Sequence, residues 1–163
     1  MSGRRLTDYP APPGTNSLWV WTRDRDPVLV TFNFFMLLLV RYSPSLSLKL
    51  AAMRLMGVKV GEKVSMALNA TVDIFYPELI EIGDNTIIGY NATILAHEYL
   101  IDKKRTGPVV IGKNVLIGAN TTVLAGVVIG DGACVSAGSL VNEDIPAGAF
   151  AGGVPARVIE RQS

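Results

Sequence analysis

The sequence predicts an all-β fold, a parallel β-helix of about four triangular coils preceded by a partly helical, apolar N-terminal segment. Two observations predict the β-helix: an aliphatic residue recurs at every sixth position, and asparagine or glycine recurs at a fixed place in the same unit. A third observation, an apolar run ahead of the repeat, predicts the helical segment. The 163 residues are enough for one ordinary domain.

Residues 1–57 are expected to form an arm followed by helices. Prolines and a glycine argue against a helix in the first 26 residues, although the short run 18–21 could pair or pack locally. The apolar run 28–40 has 13 residues, fewer than the roughly 20 that a membrane-spanning helix needs. We therefore expect a buried or subunit-facing helix, with a peripheral membrane contact as the less favoured alternative.

A second helix is predicted from Ser43 to Met56. Ser43 suits its N-cap, Pro44 its first turn and Gly57 the position after its end. Apolar residues form two stripes on this helix, so we expect it to be packed between two surfaces.

The repeat begins at about Val58 and comprises twelve hexads in four groups of three, interrupted only at 78–81 and 100–110. The recurring aliphatic residue is Ile or Val with one Met: Val60, Met66, Val72, Ile82, Ile88, Ile94, Ile111, Ile117, Val123, Ile129, Val135 and Val141. Three hexads form one coil, and stacked coils pair as parallel strands with this residue inside. The expected organisation is an arm and helical segment (1–57), a β-helix (58–146) with the loop 100–110, and a tail (147–163).

The fourth residue of the hexad predicts the corners of the coil. It is Asn or Gly in eight hexads, and these residue types tolerate a positive φ most readily. The eight are Asn69, Asn85, Asn91, Asn114, Asn120, Gly126, Gly132 and Gly138.

Composition excludes several classes of function. Fifteen basic and 14 acidic residues give a net charge of +1, so no global positive field exists to bind nucleic acid. The single cysteine, Cys134, rules out an intrachain disulfide and fits a reducing compartment, so we expect a cytoplasmic protein. The single histidine excludes a zinc site of three histidines, and no metal requirement is expected. Gly-rich phosphate loops and cysteine pairs for zinc are also missing from the sequence.

His97 is the one candidate general base of the usual kind. It is the fourth residue of its hexad, where equivalent positions hold Asn or Gly, so turn geometry alone does not explain it. The chain then leaves the repeat into the loop 100–110, which would place His97 partly outside the core. A surface histidine in a loop is the alternative interpretation.

Other polar residues near the interruptions are weaker candidates. Asn69 occupies a different corner one coil earlier, and its spacing alone favours a turn asparagine. Asp73, Glu78 and Glu98 could orient His97 or bind an acceptor, but solvated carboxylates are the preferred interpretation for each.

Basic side chains and the cysteine thiol are the remaining candidates for functional residues. The loop tip 102–105 carries three positive charges, and a solvated tip is favoured. Arg157 and Arg161 could supply cations for a phosphate. Cys134 has no basic neighbour in sequence and is interpreted as structural or incidental.

Together, these motifs resemble the maltose and galactoside O-acetyltransferase group of the hexapeptide-repeat acyltransferases. The resemblance covers about residues 58–161, and its most specific features are the histidine before the loop and the closing Gly-Val-Pro-Ala-Arg. It rests on the stretches Ile82-Gly-Asp-Asn, Ile94-Leu-Ala-His97, Val110 to Gly118, Ile129-Gly-Asp-Gly, Val135 to Ser139 and Gly152 to Arg157. It implies that the β-helix is left-handed, which the periodicity does not fix.

The resemblance also implies a homotrimer with acetyl-CoA, the co-substrate, in clefts between neighbouring β-helices. His97 matches the catalytic histidine and Asn69 the acceptor-binding asparagine; their different corners make sense if two subunits complete one site. The coenzyme contacts fall on Ala119, Ala137, Asn142 and Arg157.

Three departures from the group concern the coenzyme. Ala119 replaces a frequent serine and Asn142 a frequent threonine. Glu143 replaces a frequent lysine, which reverses a charge near the coenzyme-binding cleft of the group. The N-terminal segment also departs from the group and is far more apolar.

The resulting hypothesis is an acetyltransferase that moves the acetyl group of acetyl-CoA to a hydroxyl of a sugar or similar small acceptor. His97 takes the hydroxyl proton, and backbone N–H groups around Gly118 and Ala119 stabilise the oxyanion. The alternatives are a non-catalytic β-helix scaffold, or an acyltransferase using another donor, such as an acyl-carrier protein, or an amine acceptor. A γ-type carbonic anhydrase is discarded because it needs several histidines.

Overall fold

Three parallel sheets form the walls of a β-helix in the computed structural model, which describes residues 3–159. Sheet 1 comprises Lys59–Val60, Ile80–Ile82, Val109–Ile111 and Val128–Ile129. Sheet 2 comprises Ser65–Met66, Ile87–Ile88, Leu116–Ile117, Cys134–Val135 and Phe150–Gly153, with Ala156–Val158 added antiparallel. Sheet 3 comprises Thr71–Val72, Thr93–Ile94, Thr122–Val123 and Leu140–Val141.

The hexad aliphatic residues stack inside these walls. In sheet 3, Val72 lies opposite Ile94, and Val123 lies between Ile94 and Val141. Eleven of the twelve are buried, whereas Val60 in the first coil is half-buried. Because one coil cannot cover its own apolar face, each depends on its neighbours for this burial.

The corners fall where the hexad pattern predicts them. All eight Asn and Gly residues at the fourth position have a positive φ, between 55° and 81°. Lys63, also fourth in its hexad, adopts a φ of 56°. Three fourth residues do not form left-handed corners, namely Phe75, Asp144 and His97. His97 instead begins the strand His97–Tyr99, which corrects the expectation from spacing. Here the chain leaves the coil in an extended conformation.

Two helices precede the β-helix, the first over Pro27–Tyr42 and the second over Leu46–Leu55. The first is capped by Asp26, whose Oδ1 accepts from the Val28 N–H at 2.8 Å. The second is capped by Ser45, so the prediction of Ser43 as its N-cap is wrong. Ser43 instead ends the first helix, because its N–H still donates to the Leu39 carbonyl at 3.0 Å.

The helices cover the open end of the first coil. The Lys49 side chain is buried and donates to the carbonyls of Met66 and Ala67, each at 3.0 Å. The Asn33 amide donates to the Ile74 carbonyl at 2.8 Å. The Met66 and Ile74 carbonyls have no earlier coil to pair with, so the helices satisfy polar groups that would otherwise be unpaired. The Ala67 carbonyl also accepts from the Ala70 N–H at 3.3 Å.

One face of the first helix remains exposed. Val30, Asn33, Leu37 and Val40 are buried. The opposite face exposes apolar side chains, among them Val28, Phe32, Phe35, Leu38 and Leu39. No helix within residues 3–159 is long and apolar enough to cross a membrane. The single chain thus buries only half of this helix.

The N-terminal arm and the loop are more ordered than the sequence predicts. Thr7–Pro10 pairs antiparallel with Lys103–Thr106, which pairs antiparallel with His97–Tyr99. We call these three strands the hairpin sheet. The arm continues through a 3-10 helix at Leu18–Arg23, and a second short 3-10 helix covers Pro77–Leu79.

A solvated tip at 102–105 is therefore wrong for Lys104. This side chain is only 8% exposed, and its Nζ lies 2.9 Å from Asp24 Oδ2 because the arm folds back over the hairpin sheet. Parallel pairing also continues past residue 146, where Phe150 lies opposite Cys134. Arg161 lies outside the described residues.

Candidate active site

The imidazole of His97 is held by a buried carboxylate from the preceding coil. His97 Nδ1 lies 2.5 Å from Asp73 Oδ2, and the Asp73 side chain is fully buried. The same carboxylate accepts from three backbone N–H groups, those of Phe75 (2.8 Å), Tyr76 (2.9 Å) and Ala96 (2.8 Å). Asp73 thus fixes both the ring and the backbone around it.

The environment of Asp73 favours its ionised form. Burial acts to raise the pKa of Asp73, but the hydrogen bond and charge of His97 and the N–H groups of Tyr76 and Ala96 outweigh it. The pKa is therefore lowered from its ordinary value. An ionised carboxylate only accepts hydrogen bonds, so in the neutral ring the proton lies on Nδ1 and the lone pair on Nε2. Nε2 makes no hydrogen bond within residues 3–159, and the side chain is 13% exposed.

The preference for solvated carboxylates is thus wrong for Asp73. Glu78, by contrast, is 44% exposed and pairs with Arg25 at 2.9 Å. Glu98 is only 17% exposed and forms ion pairs with Arg4 and Arg105 on the hairpin sheet, so the solvated interpretation is wrong for Glu98 as well. Neither glutamate is hydrogen-bonded to His97 within residues 3–159.

Aromatic rings surround His97, and the sequence interpretation missed them. The ring centroids of Phe75, Tyr76 and Tyr99 lie 5.1, 5.8 and 4.9 Å from that of His97. Burial raises the pKa of Tyr99 well above its ordinary value, so this phenol stays protonated. The coil register could have revealed Phe75: because Val72 pairs with Ile94, Phe75 falls directly beneath His97.

The N-terminal arm braces the hairpin sheet that carries His97. Ser17 donates from its N–H (3.2 Å) and its Oγ (2.7 Å) to the Leu100 carbonyl. Arg5 forms two hydrogen bonds with Asp144, at 3.1 and 3.0 Å. The position of the hairpin sheet therefore depends on the arm as well as on the β-helix.

Asn69 forms the predicted corner between sheets 2 and 3, whereas His97 lies where the chain leaves the coil after sheet 3. Its φ is 60°, and its Oδ1 accepts from Arg41 Nε (3.0 Å) and Nη2 (2.7 Å). Its Nδ2 donates to Asn91 at 2.6 Å, and Asn91 in turn donates to Asn120 at 2.8 Å. Within one chain Asn69 therefore belongs to an asparagine ladder, and no hydrogen bond joins it to His97 in residues 3–159.

Ala119 and Ala137 lie on neighbouring coils at the corner between sheets 2 and 3. The Gly138 N–H donates to the Ala119 carbonyl at 2.8 Å. Side chains at Gly118 are excluded, because a Cβ there would lie 2.4 Å from the Ala137 nitrogen. The Gly118 N–H donates to the Val135 carbonyl at 2.8 Å, so its proposed oxyanion role is wrong. The Ala119 N–H has no partner in residues 3–159 and remains available.

The structure brings Asn142, Glu143 and Arg157 together. Arg157 donates from Nη1 to Asn142 Oδ1 at 3.5 Å, and its Nη2 lies 3.5 Å from Glu143 Oε1. Both Glu143 and Arg157 line a groove with Asp144, Ile145, Pro146, Ala156 and Val158. The acidic departure at 143 thus pairs with the cation predicted to bind phosphate.

Within residues 3–159, no group of three or more His, Cys, Asp or Glu side chains could hold a metal ion.

Comparison with known proteins assigns the family. Residues 108–143 match the bacterial transferase hexapeptide (six repeats) family. The chain is 51% identical over 156 residues to YvoF of Bacillus subtilis, provisionally named an acetyltransferase, covering 95% of this chain and 91% of that protein. It is 36% identical over 110 residues to the galactoside O-acetyltransferase of Escherichia coli, covering 63% of this chain and 53% of that enzyme.

Solved structures share the fold. A hexapeptide-repeat acetyltransferase from Vibrio cholerae, complexed with acetyl-CoA, aligns with a TM-score of 0.69 at 23% identity, over 82% of this chain and 86% of that one. A galactoside acetyltransferase in complex with coenzyme A aligns with a TM-score of 0.64 at 24% identity, over 82% and 80%. The chain belongs to the hexapeptide-repeat acyltransferases. Within them it resembles the maltose and galactoside O-acetyltransferase group, as its motifs predict.

Proposed function

We propose that this chain is an acetyltransferase that moves the acetyl group of acetyl-CoA to a hydroxyl of a sugar or similar small acceptor. The observation that carries the proposal is the contact between His97 Nδ1 and the buried Asp73 carboxylate. It orients the ring and leaves Nε2 with a lone pair for an acceptor proton.

The reaction balances with these groups alone. Nε2 of His97 removes the acceptor proton as the hydroxyl oxygen attacks the thioester carbonyl, forming the new C–O bond. The Ala119 N–H is the proposed donor to the resulting oxyanion. Collapse of the intermediate breaks the C–S bond, and the imidazolium returns its proton to the coenzyme sulfur. The Asp73 carboxylate stabilises the imidazolium between these steps.

The coenzyme is proposed to lie along Ala119 and Ala137 and to reach Asn142 and Arg157. Small side chains on successive coils let a pantetheine arm approach the backbone closely. The Arg157 guanidinium, about half exposed beside the groove, is the proposed phosphate contact. Glu143 competes for that cation.

The active assembly is proposed to be a homotrimer of left-handed β-helices, each of about four coils. Its support is the outer face of sheet 2, which carries an apolar ladder of paired residues: Ile87, Leu116, Cys134 and Phe150. The equivalent face of sheet 3 carries mostly threonine. Packing between subunits along sheet 2 would bring Asn69 of one subunit towards His97 of another, as an acceptor contact.

A cytoplasmic location remains part of the proposal, and a peripheral membrane contact is not favoured.

A thiol-release assay tests the proposal. Acetyl-CoA is supplied with a panel of sugars and amino compounds, and wild type is compared with His97→Ala. Release that depends on a sugar and is lost in the variant is expected. Thiol release only with amines would identify an amine acceptor instead of a hydroxyl. Turnover with acyl-carrier protein but not with acetyl-CoA would identify a different acyl donor. No release and no CoA binding by calorimetry would favour a non-catalytic scaffold.

A further inference from the structure

The 3-10 helix of the arm carries both tryptophans of the chain. The Trp21 ring packs edge-on against Phe75, with centroids 5.4 Å apart, and Phe75 packs against His97 at 5.1 Å. Trp19, two residues earlier, is 82% exposed. A line of ring contacts therefore leads from the candidate base to Trp21, and Trp19 stands exposed beside it.

This exposed tryptophan is presented on a fixed support. Ser17, before the helix, is buried and makes two hydrogen bonds to the Leu100 carbonyl. Asp24, after it, pairs with the buried Lys104 at 2.9 Å. The backbone N–H of Trp19 donates to Asn16 Oδ1 at 3.0 Å. Because the backbone is already ordered, a ligand that binds Trp19 pays little further ordering entropy.

Trp19 and Trp21 line an open groove of about 500 Å³ together with Asn16 and Leu18. Its volume lies within the roughly 300–1,000 Å³ of small-molecule sites. None of the four lining side chains is charged, so the groove has nothing to pair with a phosphate. Indole faces offer flat apolar surface, and an indole N–H with the Asn16 amide offers polar contacts to hydroxyls. This combination matches a neutral sugar ring, which has an apolar face and a rim of hydroxyls.

We propose that this groove is a distal acceptor subsite that binds a glycosyl ring of a neutral oligosaccharide. The sugar whose hydroxyl is acetylated would lie nearer His97, and the groove would hold a ring further along the same chain. The assignment as an acceptor subsite rests on the proposed function. Binding of the glycan to the groove is independent of the proposed function, because no residue of the groove takes part in catalysis.

Intrinsic fluorescence tests the subsite directly, since the only two tryptophans of the chain lie in it. Maltose, maltotriose, lactose, cellotriose and chitotriose are titrated into wild type, His97→Ala, Trp19→Ala and Leu55→Ala. Leu55 is an exposed residue at the end of the second helix and serves as the control. We expect a saturable change with at least one trisaccharide in wild type, His97→Ala and Leu55→Ala. Trp19→Ala should weaken binding at least about tenfold by calorimetry, and Trp19→Phe should retain most of it.

Kinetics separate this proposal from the proposed function. In an active enzyme, Trp19→Ala should raise KM for the trisaccharide while leaving KM for a monosaccharide and for acetyl-CoA unchanged. Glycan binding without acetyl transfer would contradict the proposed function and keep the subsite as a sugar site. Acetyl transfer without any fluorescence response to glycans would overturn the subsite alone. Shielding of Trp19 from acrylamide in the unliganded assembly would also overturn it, by making the groove a subunit contact.

Discussion

His97 and Asp73 belong to successive coils, and their side chains meet at 2.5 Å between Nδ1 and Oδ2. The contact exists because Val72 pairs with Ile94, which places the chain after Val72 directly under the chain that leads to His97. The stacking register of the β-helix therefore assembles the dyad.

Asp73→Asn should lower kcat by about 100-fold or more while changing KM for acetyl-CoA little. The amide cannot stabilise the imidazolium, and it can favour the wrong tautomer of His97. Steady-state kinetics would measure the loss. Glu81→Gln, an exposed carboxylate on sheet 1, should behave as wild type. Wild-type kcat in Asp73→Asn would remove Asp73 from the site.

Asp73 should also make stability depend on pH in the acidic range. Its folded pKa is lowered, so its stabilising contribution is complete above the unfolded value, about 4, and is lost as pH falls through the folded value. The difference in unfolding free energy between wild type and Asp73→Asn should therefore be largest at neutral pH and shrink below about pH 4. Urea denaturation at several pH values would measure it. A difference that grows towards low pH would mean that the folded pKa is raised.

Lys49→Met should cost about 1–3 kcal/mol of stability. The substitution keeps an apolar stem but leaves the Met66 carbonyl without its donor at the end of the first coil, whereas the Ala67 carbonyl still accepts from the Ala70 N–H. Leu48→Met, on the exposed side of the same helix, should change stability by less than about 0.5 kcal/mol. Thermal or urea unfolding checks both. Equal stability of the two variants would show that another group satisfies the Met66 carbonyl.

Glu143→Gln should lower KM for acetyl-CoA by about 1.4- to fivefold. The exposed pair with Arg157 is worth about 0.2–1 kcal/mol, and its removal frees the guanidinium for a coenzyme phosphate. Glu62→Gln, which removes a similar exposed pair with Arg54, should leave KM unchanged. A raised KM in Glu143→Gln would indicate that Glu143 positions Arg157 for the coenzyme.

The repeat was predictable because each position of the hexad has one physical requirement. Burial demands Ile or Val at one position, and a positive φ demands Asn or Gly at another, so Asn69 and Gly126 both fall where the pattern places them. His97 violates that pattern, and this violation identified it as a candidate.

The surroundings of His97 were harder to predict, because they depend on which coils stack and on where the arm returns. Nothing local in the sequence distinguishes the buried Asp73 from the exposed Glu78. The sequence predicts a solvated loop-tip cation at Lys104, because its partner Asp24 is distant in sequence. These contacts are tertiary and leave no periodic signal.

The role of His97 as the general base is tested most directly by the acetyl-transfer rate of His97→Ala, measured at saturating acetyl-CoA and acceptor. The comparison is with wild type, on samples whose circular dichroism matches, and CoA affinity is measured on both by calorimetry. We expect a kcat lower by about 100- to 10,000-fold with the coenzyme affinity unchanged. A kcat within a few-fold of wild type would contradict this role.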